Sequence, residues 1–267
     1  MSDDVDRPTR ALWTSDVRTL LALEWRRERR APQVLPTMVL FSVGAFVLFR
    51  FGLQDGRVDG PLAAGVLLVT TLLAAVLGIG RLWAAEEEEG GLDAFRLTPA
   101  AASALVAAKA LALWSFLLVL HVVAVPAFAF LLLDGGLAAG ELPRVAGVLV
   151  LCDLGIATAG TLVGAIAAAG RSRELLVPLL AVPLLIPLVA MASEALAPAL
   201  RSPAGVTEVR WWLGLALYDG VFLLVSWAVS VGDSVELPQG RARSCGPPRA
   251  RVAAQVVTHQ ERHLDIP

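Results

Sequence analysis

The densest charge in this chain is Glu86-Glu87-Glu88-Glu89. It is followed by Gly90-Gly91-Leu92-Asp93-Ala94-Phe95-Arg96-Leu97-Thr98-Pro99. The two glycines would end a helix arriving from the N-terminal side, and Leu92, Phe95 and Leu97 form a short amphipathic segment closed by Thr98-Pro99. A short acidic, partly apolar cytoplasmic helix suits the docking of a basic partner. A solvated charge run is the usual meaning of four consecutive glutamates. Four more ionisable residues, His121, Asp153, Glu194 and Asp219, sit inside long apolar runs. Charge at such depth is costly and must face protein or water. A lone histidine between helices is more often a hydrogen-bonded core residue than a ligand. The three acids read as hydrogen-bond and ion-pair partners in conformational change, ahead of substrate ligands.

Much chemistry is excluded. A phosphate-binding loop needs G-x-x-x-x-G-K-[ST], yet the only lysine of the chain is Lys109, in Val106-Ala107-Ala108-Lys109-Ala110. The chain therefore binds no nucleotide by that route and cannot power transport alone. There is no G-x-S-x-G and no H-E-x-x-H, so hydrolase and metalloenzyme chemistry lack their residues. Cys152, in an apolar run, and Cys245, in a polar stretch, make neither a disulfide framework nor a metal cluster. His259 and His263 are four apart, but two histidines in a polar tail read as solvated. Net charge is −2, which recruits no nucleic acid.

The elements that hold these residues follow from composition. Apolar residues make up 57% and charged residues 17% of 267, too little polar surface for a water-soluble globule. Six runs reach the roughly 20 residues a membrane-crossing helix needs, at about 34–53, 62–84, 110–133, 145–169, 175–197 and 211–231. They lack the alternation of barrel strands, so the expected fold is an all-α, six-span membrane protein. Of the 22 cations, 17 fall on the side of the N-terminus and 5 on the other, which places both termini in the cytoplasm. The first 30 residues carry no short apolar leader and no cleavable signal is expected. Residues 12–30 form a helix with Trp13, Val17, Leu20 and Leu21 on one face and an Arg-rich end, suited to the headgroup plane. The expected division is a cytoplasmic segment 1–31, a permease domain 32–231 and a disordered cytoplasmic tail 232–267.

Helix packing has its own signals. Gly160-Thr161-Leu162-Val163-Gly164 offers a small face for close approach of a neighbouring span. Pro178, Pro183 and Pro187 each remove a backbone donor, so the fifth span is expected to kink or partly unwind. Asp153 and Asp219 each lie eight residues into their spans, about 12 Å from the outer border, and Glu194 lies near the outer end of span five.

Taken together, Gly65 to Trp83, the acidic loop Glu86–Pro99, Ala107-Ala108-Lys109, Gly155 to Gly164 and the Pro178/Pro183/Pro187 span resemble the cytochrome c biogenesis haem-exporter B family (CcmB) over about residues 16–231. The acidic G-x-L loop is shared by many exporter permeases; joined to the proline-spaced fifth span it is far more specific. The resemblance implies the six-span permease of an ABC-type complex, docking a separate ATPase (CcmA-like) through Glu86, Glu87, Glu88, Glu89, Gly91, Leu92, Asp93, Phe95 and Pro99. It implies haem-handling membrane partners (CcmC-like, CcmD-like), a haem chaperone (CcmE-like), and two permease copies around two ATPases. Haem is then the implied substrate, ATP acts through the partner, and the chain holds no cofactor of its own. His121 is the only embedded axial-ligand candidate, where a bis-His site would need two. The embedded acids would repel haem propionates unless Arg144 or Arg210 pairs with them. Two rivals stand beside this reading: a permease for a lipid, drug or glycan, and a non-transporting scaffold whose ATPase cycle releases a haem-loaded chaperone.

Overall fold

Inside lipid every backbone N–H and C=O must be satisfied within the chain, and long apolar runs therefore fold as helices. The computed structural model describes residues 6–53, 58–88, 102–133, 136–168, 173–201 and 204–235. Among the described residues seven helices follow one another: α1 Asp6–Arg30, α2 Val34–Gly52, α3 Gly60–Glu88, α4 Ala102–Leu132, α5 Leu142–Ala168, α6 Arg173–Leu196 and α7 Val209–Val235, with a 3₁₀ turn Ala197–Leu200 after α6. The six from α2 to α7 are each long and apolar enough to cross a membrane. The chain is an all-α multi-pass membrane protein. The described residues up to 230 gather into one compact unit; beyond it, 231–235 are described, as the end of α7.

α3 and α5 occupy the middle of the bundle, with 67% of each apolar span buried, against 11% for α7. Small residues make this possible. α3 presents Ala63, Ala64, Ala74, Ala75 and Ile79, all fully buried, and at Gly78 a Cβ would stand 2.8 Å from Met38 Sδ of α2. Threonines within the core bond back to their own helices: Thr71 donates to the Leu67 carbonyl at 2.9 Å and Thr161 to that of Ala157 at 2.7 Å. α2 and α4 run the same way, Phe46 meeting Phe128 edge-on at 5.4 Å near their C-terminal ends.

Three expectations change. Span three starts at Ser103 rather than 110, because Lys109 lies inside α4 and is fully buried; it is no loop cation. Removing it from the cation count leaves 16 against 5, so the sign of the asymmetry stands. Of the kink or partial unwinding expected of the fifth span, unwinding is absent: α6 is helical without interruption through Pro178, Pro183 and Pro187. Proline's fixed φ is compatible with helix, and Pro183 and Pro187 stand on its exposed side, away from the core. The apolar stripe of α1 meets protein: Val17 and Leu20 pack on Ala104, Ala107 and Ala108 of α4, and Leu21 joins the main core. Trp13 Nε1 donates to Ser103 Oγ and Trp25 Nε1 to Ser115 Oγ, both at 3.1 Å. The equal spacing of these two bonds means α1 runs alongside α4 in the same direction for about 18 Å.

Candidate functional site

Lys109 sits eight residues into the 31-residue α4, at the start of the third span, with 1% of its side chain exposed. Its Nζ is 2.9 Å from Glu24 Oε1 of α1 and donates to the Leu82 carbonyl of α3 at 3.2 Å. The ammonium also lies 5.2 Å from the ring centre of Trp83, within cation–π range. One buried charge thus joins three helices. Leu82 and Trp83 precede the Glu86–Pro99 loop, and Lys109 follows it, so both stems of that loop are fastened to α1.

Four residues further along α1, Glu28 caps the first membrane span. Its carboxylate accepts from the backbone N–H groups of Val34 at 3.2 Å, Leu35 at 2.8 Å and Gln33 at 3.4 Å, donors that a helix start leaves without partners. The negative charge also suits the positive end of the helix dipole. Glu24 and Glu28 were not singled out from the sequence, where they sit among arginines. The signal was available: Val17, Leu21, Glu24 and Glu28 continue one helical stripe, and an acid on an apolar stripe must have a partner inside.

A second polar cluster lies within the bundle. His121 Nδ1 of α4 is 3.0 Å from Asp153 Oδ2 of α5, and its Nε2 is 3.3 Å from Thr71 Oγ1 of α3. Thr71 and Asp153 stand eleven positions from the N-terminal ends of their helices and His121 eleven from the C-terminal end of α4, about 16 Å in each case, the middle of a 30 Å layer. Asp153 is thus deeper than the sequence placed it, because α5 begins at Leu142. His121 also faces an apolar groove of about 300 Å³ between α4 and α5. The Nδ1–Oδ2 approach is an ion-pair distance without hydrogen-bond geometry, and the Nε2 contact with Thr71 is the ring's hydrogen bond among the described residues.

Asp219 is buried against α5 and α6, where a Cβ at Gly155 would lie 2.6 Å from its Oδ1. Neither carboxylate oxygen has a hydrogen-bond partner among the described residues. The neighbouring Tyr218 hydroxyl donates to the Leu184 carbonyl at 3.0 Å, and Trp212 fills the space beside Gly147. α7 therefore seats on α5 through glycines. Neither outer arginine reaches the embedded acids: Arg144 pairs with Glu141 at 2.9 Å and bonds the Gly205 carbonyl at 2.6 Å, and Arg210 pairs with Glu208 at 2.7 Å. Glu194 is exposed and lies apart from the buried cluster.

Gly160 and Gly164 both face α3. A Cβ at Gly160 would stand 2.5 Å from Ile79, and one at Gly164 would run into the Trp83 indole, the ring that carries Lys109 on its face. Of the docking loop, α3 continues as helix through Glu86, Glu87 and Glu88; Glu89, Gly91, Leu92, Asp93, Phe95 and Pro99 lie outside the described residues.

Comparison with known proteins agrees with this architecture over nearly its whole length. The chain is 28% identical to "Heme exporter protein B" of Pseudomonas aeruginosa over 219 residues, which cover 82% of this chain and 96% of that protein. It is 31% identical to "Heme exporter protein B" of Rhodobacter capsulatus over 184 residues, 67% of this chain and 81% of the relative. The Paracoccus denitrificans protein of the same name is 29% identical over 180 residues, with the same coverage. Residues 16–232, from the middle of α1 to the last turns of α7, match the family described as CcmB protein, and the chain belongs to that family.

Proposed function

We propose that this chain is the membrane permease subunit of an ABC-type haem-export or haem-handling complex for c-type cytochrome maturation. The observation that carries the reading is the CcmB match from residue 16 to 232, running through all six spans. The chain works in the cell membrane with both termini in the cytoplasm, and two copies stand around two ATPase subunits. An ATPase resembling CcmA docks on Glu86–Pro99, and ATP acts through it. The membrane partners resemble CcmC and CcmD, and the haem chaperone resembles CcmE.

The geometry suggests how a push on the loop travels. Lys109 locks the end of α3, the start of α4 and α1 together, so the loop cannot move without carrying all three. Thr71, His121 and Asp153 then join α3, α4 and α5 at mid-depth. The embedded polar groups act in this reading as links between helices. His121, held between Asp153 and Thr71, serves in this reading as such a link and ligates no iron. That is compatible with the alternative in which ATP hydrolysis drives release of a haem-loaded chaperone. Deleting the gene in its host and staining membrane proteins for covalent haem tests the function. Loss of c-type cytochromes, restored by the wild-type chain, is expected; normal cytochromes in the deletion strain would overturn the proposal.

A further inference from the structure

Between the end of α1, the start of α2 and the cytoplasmic ends of α3 and α4 lies a recess of about 440 Å³. Its apolar walls are Leu23, Val34, Leu82 and Phe116, and its charged rim carries Arg27, Arg30 and Arg81 together with Glu24 and Glu28. The two acids are already engaged. Glu24 is bonded to Lys109 and stands 3.7 Å from Arg27, and Glu28 accepts three backbone N–H groups. The uncompensated charge facing the cavity is positive: Arg30 and Arg81 are both exposed and have no carboxylate partner among the described residues. They approach from different helices, α1 and α3.

A cavity with apolar walls and a cationic rim matches one class of ligand, an amphipathic anion. We propose that this recess binds such a molecule, its acid group on Arg30 and Arg81 and its apolar body against Leu82 and Phe116. Guanidinium groups take phosphate or carboxylate oxygens in paired, charge-assisted bonds. Two sources have this chemistry: an anionic phospholipid of the inner leaflet, and haem, whose propionates would sit on the arginines. The haem source rests on the function proposed above; the lipid source does not. An occupant here would lie against Glu24 and Leu82, the groups that Lys109 holds, and would report directly to the stems of the loop.

The test uses the full chain in detergent, with Arg30→Gln, Arg81→Gln, the double variant, and Arg26→Gln as a control for general surface charge, since Arg26 is exposed and does not line the cavity. Native mass spectrometry after exchange into phosphatidylglycerol or phosphatidylethanolamine reads the lipid arm. Haemin titration followed by tryptophan quenching in a zwitterionic detergent reads the haem arm. Affinity should fall about tenfold per arginine for one of the two anions and stay unchanged in Arg26→Gln. Loss for phosphatidylglycerol alone assigns the lipid and leaves the haem function standing or falling on its own test; loss for haemin alone assigns the propionates. Unchanged binding of both anions, or equal loss in the control, overturns the site. Both arginines are solvent-exposed, so folding is checked by an unchanged melting temperature.

Discussion

Replacing Lys109 by methionine removes the charge and keeps the volume. At 2.9 Å and an effective dielectric of about 20, the attraction to Glu24 is roughly 6 kcal/mol before desolvation is subtracted. What matters more is the group left behind: Glu24, with 9% of its side chain exposed, becomes a buried charge with only Arg27, 3.7 Å away, to offset it. Breaking a buried pair from one side costs about 3–5 kcal/mol, and the lost contact with Trp83 is part of that figure. Removing both charges is different, because well-packed apolar replacements are often neutral. Lys109→Met should therefore lower the melting temperature in detergent by roughly 10 °C, taking about 2–4 °C per kcal/mol. Glu24→Met should cost a similar amount, and the double variant should recover most of the loss, so that its cost falls well below the sum of the two single costs. Thermal unfolding of the four proteins, monitored by tryptophan fluorescence, completes the cycle. A single-variant loss below about 1 kcal/mol, or a double variant whose loss equals the sum of the two, would refute the claim that this pair fastens α1 to α4.

Further outcomes follow from the same contacts. Gly164→Ala drives a methyl group into the Trp83 ring and should cost about 1–3 kcal/mol, with Trp83→Phe in the same chain recovering part; a neutral Gly164→Ala would contradict the packing of α5 on α3. His121→Ala should destabilise the protein by about 3 kcal/mol, since it leaves the buried Asp153 unpaired, yet leave the absorption spectrum of bound haem unchanged; a shifted Soret band would make His121 an iron ligand after all. Asp219→Asn should impair cytochrome maturation while the ATPase subunit still co-purifies, because Asp219 lies at mid-depth of α7, ten residues from its outer end; loss of co-purification would count against that separation. Glu28→Ala strips the three N–H groups at the start of α2 of their acceptor and should cost about 1–2 kcal/mol in thermal unfolding, an expectation that an unchanged melting temperature would defeat.

The membrane spans were legible because hydrocarbon thickness sets a run length that apolar residues either reach or do not. Lys109 shows where that rule misleads. A single charge after an acidic loop reads as a border, and nothing local says that a glutamate 85 residues earlier neutralises it. His121 and Asp153 were recognised one at a time, but their pairing depends on the relative rotation of α4 and α5, which neither helix encodes alone. The sequence offered Arg144 and Arg210 as partners for the embedded acids; helix geometry forbids it, since both arginines start their helices while the acids lie about nine residues deeper. The glycines were more informative, because a missing Cβ is a steric fact that asks for a neighbour, and Ile79 and Trp83 are those neighbours. The prolines were read for what they remove; their tolerance in helical φ let α6 continue.

The account stands on this chain being the membrane half of an ATP-driven haem-handling assembly, and affinity purification from its host in mild detergent tests that most directly. Identification of an ABC ATPase subunit together with a haem-binding membrane protein among the co-purifying chains is the predicted result. An ATPase arriving without haem proteins would point to a permease for another substrate. Recovery of the intact chain with no ATPase at all would contradict the account.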